Sequence, residues 1–176
     1  MRPGIAKLNN VFKLYNPATG LALDGTVSVT LPSFELLSET FKGAGLAGEV
    51  NVPAPGNMSA LSVEISCPKI YGEIMEYMEL GETKTLDLRN DVVVQNTDNH
   101  AQEKVPERWV LKGPLTASNP GSVEQAVAGD ASITMQVYYA KHWMDGEEKL
   151  EWDPFKYIYS VNGKDMMAET RQNILV

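Results

Sequence analysis

The chain has 176 residues, of which 43% are hydrophobic and 22% charged, a composition that excludes a wholly disordered protein. Its 15 basic and 23 acidic residues give a net charge of −8, which disfavours tight wrapping of nucleic acid or binding to anionic lipid. The single cysteine, Cys67, excludes an internal disulfide and a multi-cysteine zinc site. The length predicts one domain over residues 1–176.

The N-terminal residues do not read as a secretory signal. The first residues lack the apolar core of a signal peptide, and no stretch approaches the roughly 18 apolar residues of a membrane helix. We therefore expect a protein that is made in the cytoplasm and has no membrane segment.

Apolar and polar residues alternate with a period of two along much of the chain, which predicts strands with one buried face. The clearest alternation runs over residues 27–31, 61–67 and 133–139. Weaker strands are predicted at residues 83–89, 91–95, 107–115, 149–152 and 156–161. These segments predict a protein that is mainly β.

Turn-forming residues separate the predicted strands. Asp145-Gly146 and Asn162-Gly163 are typical of hairpin tips, because both positions of such turns need residues that tolerate a positive φ. The polar segment 96–104 and the Gly-, Ser- and Pro-containing segment 113–130 lack periodicity and are predicted to be exposed loops.

One amphipathic helix is predicted after the strand that ends at residue 67. Pro68 suits a first helical turn, and Gly81 is a suitable C-terminal stop. Ile70, Ile74 and Tyr77 fall on one face in between. The spacing predicts a short helix over residues 68–81 that lies flat against a sheet.

Residues 43–48 spell the glycine pattern G-x-G-x-x-G, which in dinucleotide-binding proteins lies between a buried strand and a helix. Here the preceding residues 38–42 are too polar for a buried strand. The following residues 49–55 contain two prolines and alternating β-branched residues, which excludes a helix. We therefore interpret the segment as a loop between two extended arms and predict no cofactor.

The residue types that carry catalysis are scattered. Cys67 belongs to an apolar row and is predicted to lie in the core. His100 and His142 are isolated from each other and are predicted to be solvated surface residues, so no metal site is expected. Adjacent carboxylates such as Glu147 and Glu148 are typical of an acidic surface. We predict no catalytic residue and no enzymatic activity.

Two alternatives from other functional classes remain open on this evidence. Trp143, Trp152 and Tyr157 flank one predicted hairpin and could line a sugar groove, which would make the protein a carbohydrate- or protein-binding β-sandwich. A small β-barrel enzyme with a carboxylate pair is the third reading. Electron micrographs of the concentrated protein would separate both from a self-assembling subunit.

The order of features along nearly the whole chain resembles one known family. Residues 29–34 read Val-Thr-Leu-Pro-Ser-Phe, residues 41–48 form an aromatic-basic-glycine-rich loop, and residues 49–53 give an acidic return arm. The strand 59–67, its helix and the late hairpin near residues 138–143 follow in the family's order. The chain in this respect resembles the major tail tube protein of contractile-tailed bacteriophages and of phage-tail-like bacteriocins.

The resemblance implies a small antiparallel β-sandwich or barrel with one flanking short α-helix. It also implies stacked hexameric rings, in which two hairpins per subunit form a barrel around a lumen. The implied partners are other copies of the chain, a surrounding sheath, and baseplate and tail-terminator proteins at the ends. DNA in transit would not be bound tightly. A particle with DNA, a DNA-free bacteriocin and a related bacterial secretion system all remain possible.

Two sets of residues are predicted to serve the assembly. The glycine-rich loop and its apolar side chains are expected at subunit contacts, namely Phe41, Lys42, Gly43, Gly45, Leu46 and Gly48. Alternation along the flanking arms leaves Glu35, Glu39 and Glu49 as candidates for an acidic lumen, if one strand face meets the core and the other the channel. The rival interpretation places these carboxylates at the outer surface or at subunit contacts.

Overall fold

The computed structural model describes residues 4–43, 45–79 and 81–175. Within them the chain forms strands at Gly4–Tyr15 (β1), Ser28–Thr30 (β2), Leu36–Phe41 (β3), Val50–Met58 (β4), Leu61–Cys67 (β5), Lys84–Asn96 (β6), Gln102–Gly113 (β7), Leu115–Asn119 (β8), Ala131–Val137 (β9), Tyr139–Met144 (β10), Glu147–Asp153 (β11), Ile158–Val161 (β12) and Lys164–Asp165 (β13). The helices are Glu73–Glu76 (α1), Ala168–Ile174 (α2) and a 3-10 turn at Pro154–Lys156.

The strands form two main antiparallel sheets and one separate hairpin. The seven-stranded sheet has the order β1-β6-β7-β10-β11-β12-β13, and the four-stranded sheet has the order β2-β5-β9-β8. Among the described residues, strands β3 and β4 pair only with each other. The mainly β, antiparallel prediction is confirmed.

The core lies between the two main sheets, because each turns its apolar rows toward the other. Strand β5 contributes Leu61, Val63 and Ile65, all fully buried, and β9 contributes Ile133 and Met135 beside them. The seven-stranded sheet contributes the buried side chains of Leu14, Leu86, Leu88, Leu111, Ala140 and Trp152 to the same core. Residues of both sheets therefore form one continuous core.

The two hairpin turns predicted at Asp145-Gly146 and Asn162-Gly163 are confirmed. Asp145 and Gly146 have φ values of 55° and 77°, and Asn162 and Gly163 have φ values of 51° and 77°. Two successive positive φ angles are the geometry of a type I′ hairpin turn, which twists in the same sense as the strands it joins.

The predicted helix over residues 68–81 is mostly absent, and only α1 (Glu73–Glu76) forms. Gly72 stands at its N-cap with a φ of 54°, a left-handed conformation that a continuous helix cannot contain. Ile74 and Tyr77 are nevertheless buried as predicted. The second helix, α2 (Ala168–Ile174), was missed because it buries no residue and has no apolar stripe to detect.

Several strand boundaries also differ from the prediction. Residues 83–89 and 91–95 belong to the single strand β6, and the predicted loop 96–104 shrinks because β6 pairs with β7 out to Gln95 and Gln102. A second apolar cluster of Val92, Val94 and Val105 supports this distal part of the hairpin. Strand β1 went unpredicted because its residues do not alternate clearly, and β8 lies within the predicted loop 113–130.

Candidate assembly surfaces

The β3–β4 hairpin carries the glycine-rich loop at its tip and stands apart from the sandwich. Every residue of β3 is exposed, and so is most of β4. The expected core beneath one face of these arms is therefore absent from the described part of the chain, and this expectation was wrong. A two-stranded hairpin without a covered face is at best marginally stable in water, so a partner surface is expected to cover it.

The register of the hairpin separates an apolar face from a polar one. Glu39 lies opposite Val52 and Phe41 opposite Val50, so these four side chains share a face. Phe41 is 53% exposed, and Val50 and Val52 are also exposed. The other face carries Ser38, Thr40 and Asn51. The hairpin is therefore amphipathic although both of its faces contact solvent.

The predicted contact residues lie together at the tip of this hairpin. Lys42 Nζ lies 3.6 Å from Glu49 Oε1 across the loop, and both side chains are mostly exposed. The backbone N–H of Leu46 donates to the carbonyl of Gly43 at 3.2 Å, which folds the loop back on itself. Gly45 has a φ of 99°, which a residue with a Cβ rarely adopts. Leu46 remains 47% exposed.

The three predicted lumen carboxylates do not share one face. Glu35 is exposed at the base of the hairpin and accepts a hydrogen bond from Ser33 Oγ at 3.2 Å. Glu39 belongs to the apolar face. Glu49 is paired with Lys42 at the tip. An acidic lumen built from all three carboxylates stays a prediction.

The outer face of the four-stranded sheet is a surface that the sequence analysis missed. Strands β5 and β9 alternate strictly, so their outward side chains are the small polar ones between the core residues. Together with β2 and β8 these strands present a surface of hydroxyl and amide side chains: Ser28, Thr30, Ser62, Ser66, Asn119, Ser132, Thr134 and Gln136. Among these described positions the one carboxylate is Glu64. We call this surface the hydroxyl face.

The outer face of the seven-stranded sheet has the opposite character. By register it carries six basic side chains, Lys13, Arg89, Lys104, Arg108, Lys112 and Lys141. Six acidic ones share this face by register, Asp87, Asp91, Glu148, Glu151, Asp153 and Asp165, but of these only Asp87 and Asp91 lie on the four described strands that carry the basic ones. We call the part of this surface on β1, β6, β7 and β10 the basic face. By register it carries six basic and two acidic side chains among its described residues, on a chain whose net charge is −8.

Asp87 stands at the centre of the basic face and is only 3% exposed. Arg108 donates to it from Nε and Nη2, both at 2.8 Å, and Arg89 Nη2 donates at 3.0 Å. Burial raises the pKa of Asp87, but the two guanidinium groups more than offset this, and the net result is a lowered pKa. The carboxylate therefore stays ionised well into acid.

The histidine prediction was wrong for His142. Its ring stacks on Trp109 with centroids 4.1 Å apart, and its Nε2 lies 2.9 Å from Glu107 Oε1. Asn90 Nδ2 also donates to Glu107, at 2.8 Å. The pKa of Glu107 is lowered, mainly by the hydrogen bond with His142. A polar cluster that pairs residues from three strands leaves no local pattern in the sequence.

The residues considered for catalysis or ligand binding do not converge on a site. Cys67 is buried as predicted, and burial raises the pKa of its thiol. Trp152 and Tyr157 line one cavity at the base of the β3–β4 hairpin, where Trp152 is almost wholly buried. Trp143 lies elsewhere, on the basic face between Arg108 and Lys141, so the three residues do not share one groove. Over residues 4–43, 45–79 and 81–175, no group of His, Cys, Asp and Glu has a metal-binding arrangement. No helix in that part is long and apolar enough to cross a bilayer.

We expect Asp87→Asn to destabilise the free subunit by about 2 kcal/mol at neutral pH, because it removes charge-assisted hydrogen bonds. The pKa of Asp87 is lower in the folded chain than in the unfolded one, so its contribution is present above the unfolded value and lost as pH falls through the folded value. The difference in urea-unfolding free energy between wild type and variant should therefore shrink in acid. Asp98→Asn, in an exposed turn, should change stability by no more than about 0.5 kcal/mol. A pH-independent difference for Asp87→Asn would contradict the assignment.

The chain is similar to a family model, to a curated protein and to a solved structure. The family model of phage tail tube protein FII matches residues 6–174. The tail tube protein of Escherichia phage P2 is 29% identical over 174 residues, which cover 98% of this chain and 97% of that protein. Among solved structures, a chain of the PVC sheath-tube complex of an extracellular contractile injection system in its extended state aligns with a TM-score of 0.49 at 11% identity, covering 75% of this chain and 87% of that one.

Proposed function

Because the chain belongs to the phage tail tube protein FII family, we propose that it is the structural subunit of the tube of a contractile phage tail or a tail-like particle. The match of the family model to residues 6–174 carries the proposal, since it spans nearly the whole chain. The P2 relative, a tail tube protein, aligns over almost its full length. The subunit would act by assembly, and the proposed tube requires no catalysis.

We propose that the four-stranded sheets of neighbouring subunits join to close hexameric rings. The outer strands of this sheet, β2 and β8, each pair on one side only within the described residues. Pairing β8 of one subunit with β2 of the next would satisfy both edges and give a head-to-tail contact that can close into a ring. The sheet consists of two hairpin pairs, β2 with β5 and β8 with β9, which would build a continuous barrel.

In this arrangement the hydroxyl face would line the channel. A wall of hydroxyls and amides with Glu64 as its carboxylate offers no cation to a phosphate backbone, so DNA would slide without being held. The basic face, by contrast, would retain phosphate. Charge therefore favours the four-stranded sheet on the inside and the seven-stranded sheet on the outside of the tube.

The β3–β4 hairpin extends from the β2–β5 pair and would contact a neighbouring subunit or ring through its apolar face and tip. Glu35, Glu39 and Glu49 are proposed to add negative charge near the channel. Changing all three to Gln should leave tubes intact but weaken the binding of a cationic probe that enters the channel, most strongly at low salt. Failed assembly of this variant would instead place these residues at subunit contacts, and intact tubes that bind the probe like the wild type would place them on the outer surface.

The remaining partners follow from the proposed role. A contractile sheath would surround the tube, with baseplate and tail-terminator proteins at its ends, after synthesis in the bacterial cytoplasm. Whether the particle carries DNA is best decided by the neighbouring genes, since capsid genes indicate a phage and their absence a bacteriocin-like particle.

Negative-stain electron microscopy of the purified, concentrated protein tests the proposed function. Rings or stacked tubes with a central channel are expected. A strictly monomeric protein at every concentration, with saturable binding to a sugar array, would contradict the tube and favour the binding-module alternative.

Residues 39–52 are expected to exchange their amide hydrogens rapidly in the free subunit and slowly in the tube. Their strands pair only with each other, and the tip holds Gly43, Gly45 and Gly48, so ordering needs contacts from a neighbour. Hydrogen–deuterium exchange with mass spectrometry measures both states. The amides of β5 (Leu61–Cys67), which are protected within the sandwich, serve as an internal control. Equal protection of residues 39–52 in both states would contradict the prediction.

A further inference from the structure

On the basic face, Asp87, Arg89 and Arg108 form a positively charged group whose arginine side chains are held in place and exposed to solvent. Asp87 accepts hydrogen bonds from two guanidinium groups, although one guanidinium is enough to neutralise a carboxylate. The side chains of Arg89 and Arg108 remain 59% and 46% exposed. In the described part of the chain, neither arginine donates a hydrogen bond from Nη1. The group Asp87–Arg89–Arg108 thus carries a net positive charge with donors facing solvent.

Both guanidinium groups are held in place by aromatic rings as well as by Asp87. Arg89 lies over the ring of Tyr15 at 5.2 Å, and Arg108 lies over the ring of Trp143 at 5.3 Å. The resulting row crosses β1, β6, β7 and β10 from Tyr15 to Trp143. Because these side chains are already fixed, a ligand would lose little affinity to their ordering.

We propose that the basic face is a docking surface for an acidic segment of the surrounding sheath, whose carboxylates bind Arg89 and Arg108. The inference rests on the proposed function, which puts the seven-stranded sheet on the outside of the tube. Charge complementarity selects the occupant: the face carries six basic and two acidic side chains, whereas the rest of the chain is strongly acidic. The guanidinium groups of Arg89 and Arg108 are planar donors on neighbouring strands, so they can bind two carboxylates spaced along one extended or helical segment of the partner.

Binding of a fluorescein-labelled oligoglutamate peptide, measured by anisotropy on assembled tubes, tests the surface. The triple variant Asp87→Asn, Arg89→Gln, Arg108→Gln removes both forks without leaving a buried charge, and it lowers the net charge by one. Lys69→Gln, at an exposed position elsewhere, makes the same change in net charge and is the matched control. The triple variant should bind the peptide at least about tenfold more weakly, since each charge-assisted hydrogen bond is worth about 1.5–3 kcal/mol. Lys69→Gln should bind it like the wild type.

Equal affinity of the triple variant and the control overturns the proposal, and so does a wild type that binds oligoglutamine of the same length as tightly as oligoglutamate. Circular dichroism and electron microscopy of each variant verify folding and tube formation. Peptide binding can also be measured on the free subunit, so a failure to form tubes would contradict the proposed function without deciding this test.

Zero-length carbodiimide coupling on the intact particle identifies the occupant. It joins lysines to carboxylates, and Lys13, Lys104 and Lys112 surround the arginine pair and are exposed. Mass spectrometry is expected to find these lysines linked to Asp or Glu of the sheath. Links that join them only to other copies of the tube subunit would overturn the assignment to the sheath.

Discussion

Replacing Phe41 and Leu46 together with aspartate is expected to abolish tube assembly while the subunit stays folded. Both side chains are about half exposed in the subunit, on the part of the hairpin that lies away from Met58, the residue at its base that packs against the sandwich core. Covering an aromatic or leucine side chain contributes about 1.5–3 kcal/mol, and an aspartate in its place must lose its hydration. Because every subunit of a ring repeats the contact, the loss is multiplied around the ring. Sedimentation velocity measures assembly, and circular dichroism measures folding.

The polar face of the same hairpin supplies the matched control. Ser38→Asp with Thr40→Asp also adds two negative charges to this hairpin, but both lie on β3 at positions that face away from Phe41. This variant should assemble more readily than the Phe41 and Leu46 variant. If both double variants assemble equally, the apolar face is not the contact surface. If the Phe41 and Leu46 variant is unfolded, the hairpin is part of the folded body instead.

Predictions from the sequence held where the cause of the structure is local. The alternation over Leu61–Cys67 matches β5 at both ends, because successive side chains of a strand must point to opposite faces. The Asp-Gly and Asn-Gly turns held because positive φ angles select those residues directly. The prediction of extended arms on both sides of the glycine-rich loop is also confirmed, because prolines and β-branched residues exclude a helix there.

Predictions failed where the cause is a contact between distant residues. Asp87 and Arg108 are 21 positions apart and meet only through the register of β6 with β7. The face of Glu39 likewise depends on the register of β3 with β4, since a slip of one residue would exchange the faces, and its place beside a lumen stays a prediction. His142 was assigned to the surface because its partner, Glu107, belongs to the neighbouring strand. The hydroxyl face was overlooked because it contains no residue type that signals a function.

Gly113→Ala is expected to cost the free subunit at least about 3 kcal/mol of unfolding free energy, the largest single-residue effect that we predict. Gly113 ends β7, where the chain crosses from the seven-stranded sheet to β8 of the four-stranded sheet. A Cβ there would lie 1.6 Å from the backbone oxygen of Gln136 and 2.8 Å from its carbonyl carbon. Backbone atoms of β9 cannot rotate away as a side chain can, so one strand would have to move.

The matched control is Gly43→Ala, which adds the same methyl group where no heavy atom lies within 4 Å of the new Cβ. Its stability should be unchanged or raised by up to about 1 kcal/mol, because alanine restricts the unfolded chain. Urea denaturation of the two unassembled variants, followed by tryptophan fluorescence, gives both values. Equal stabilities would mean that β7 does not pass so close to β9 and that the two sheets are joined differently. A large loss confined to Gly113→Ala would establish this crossing as the point that fixes the hydroxyl face and the basic face on opposite sides of the sandwich.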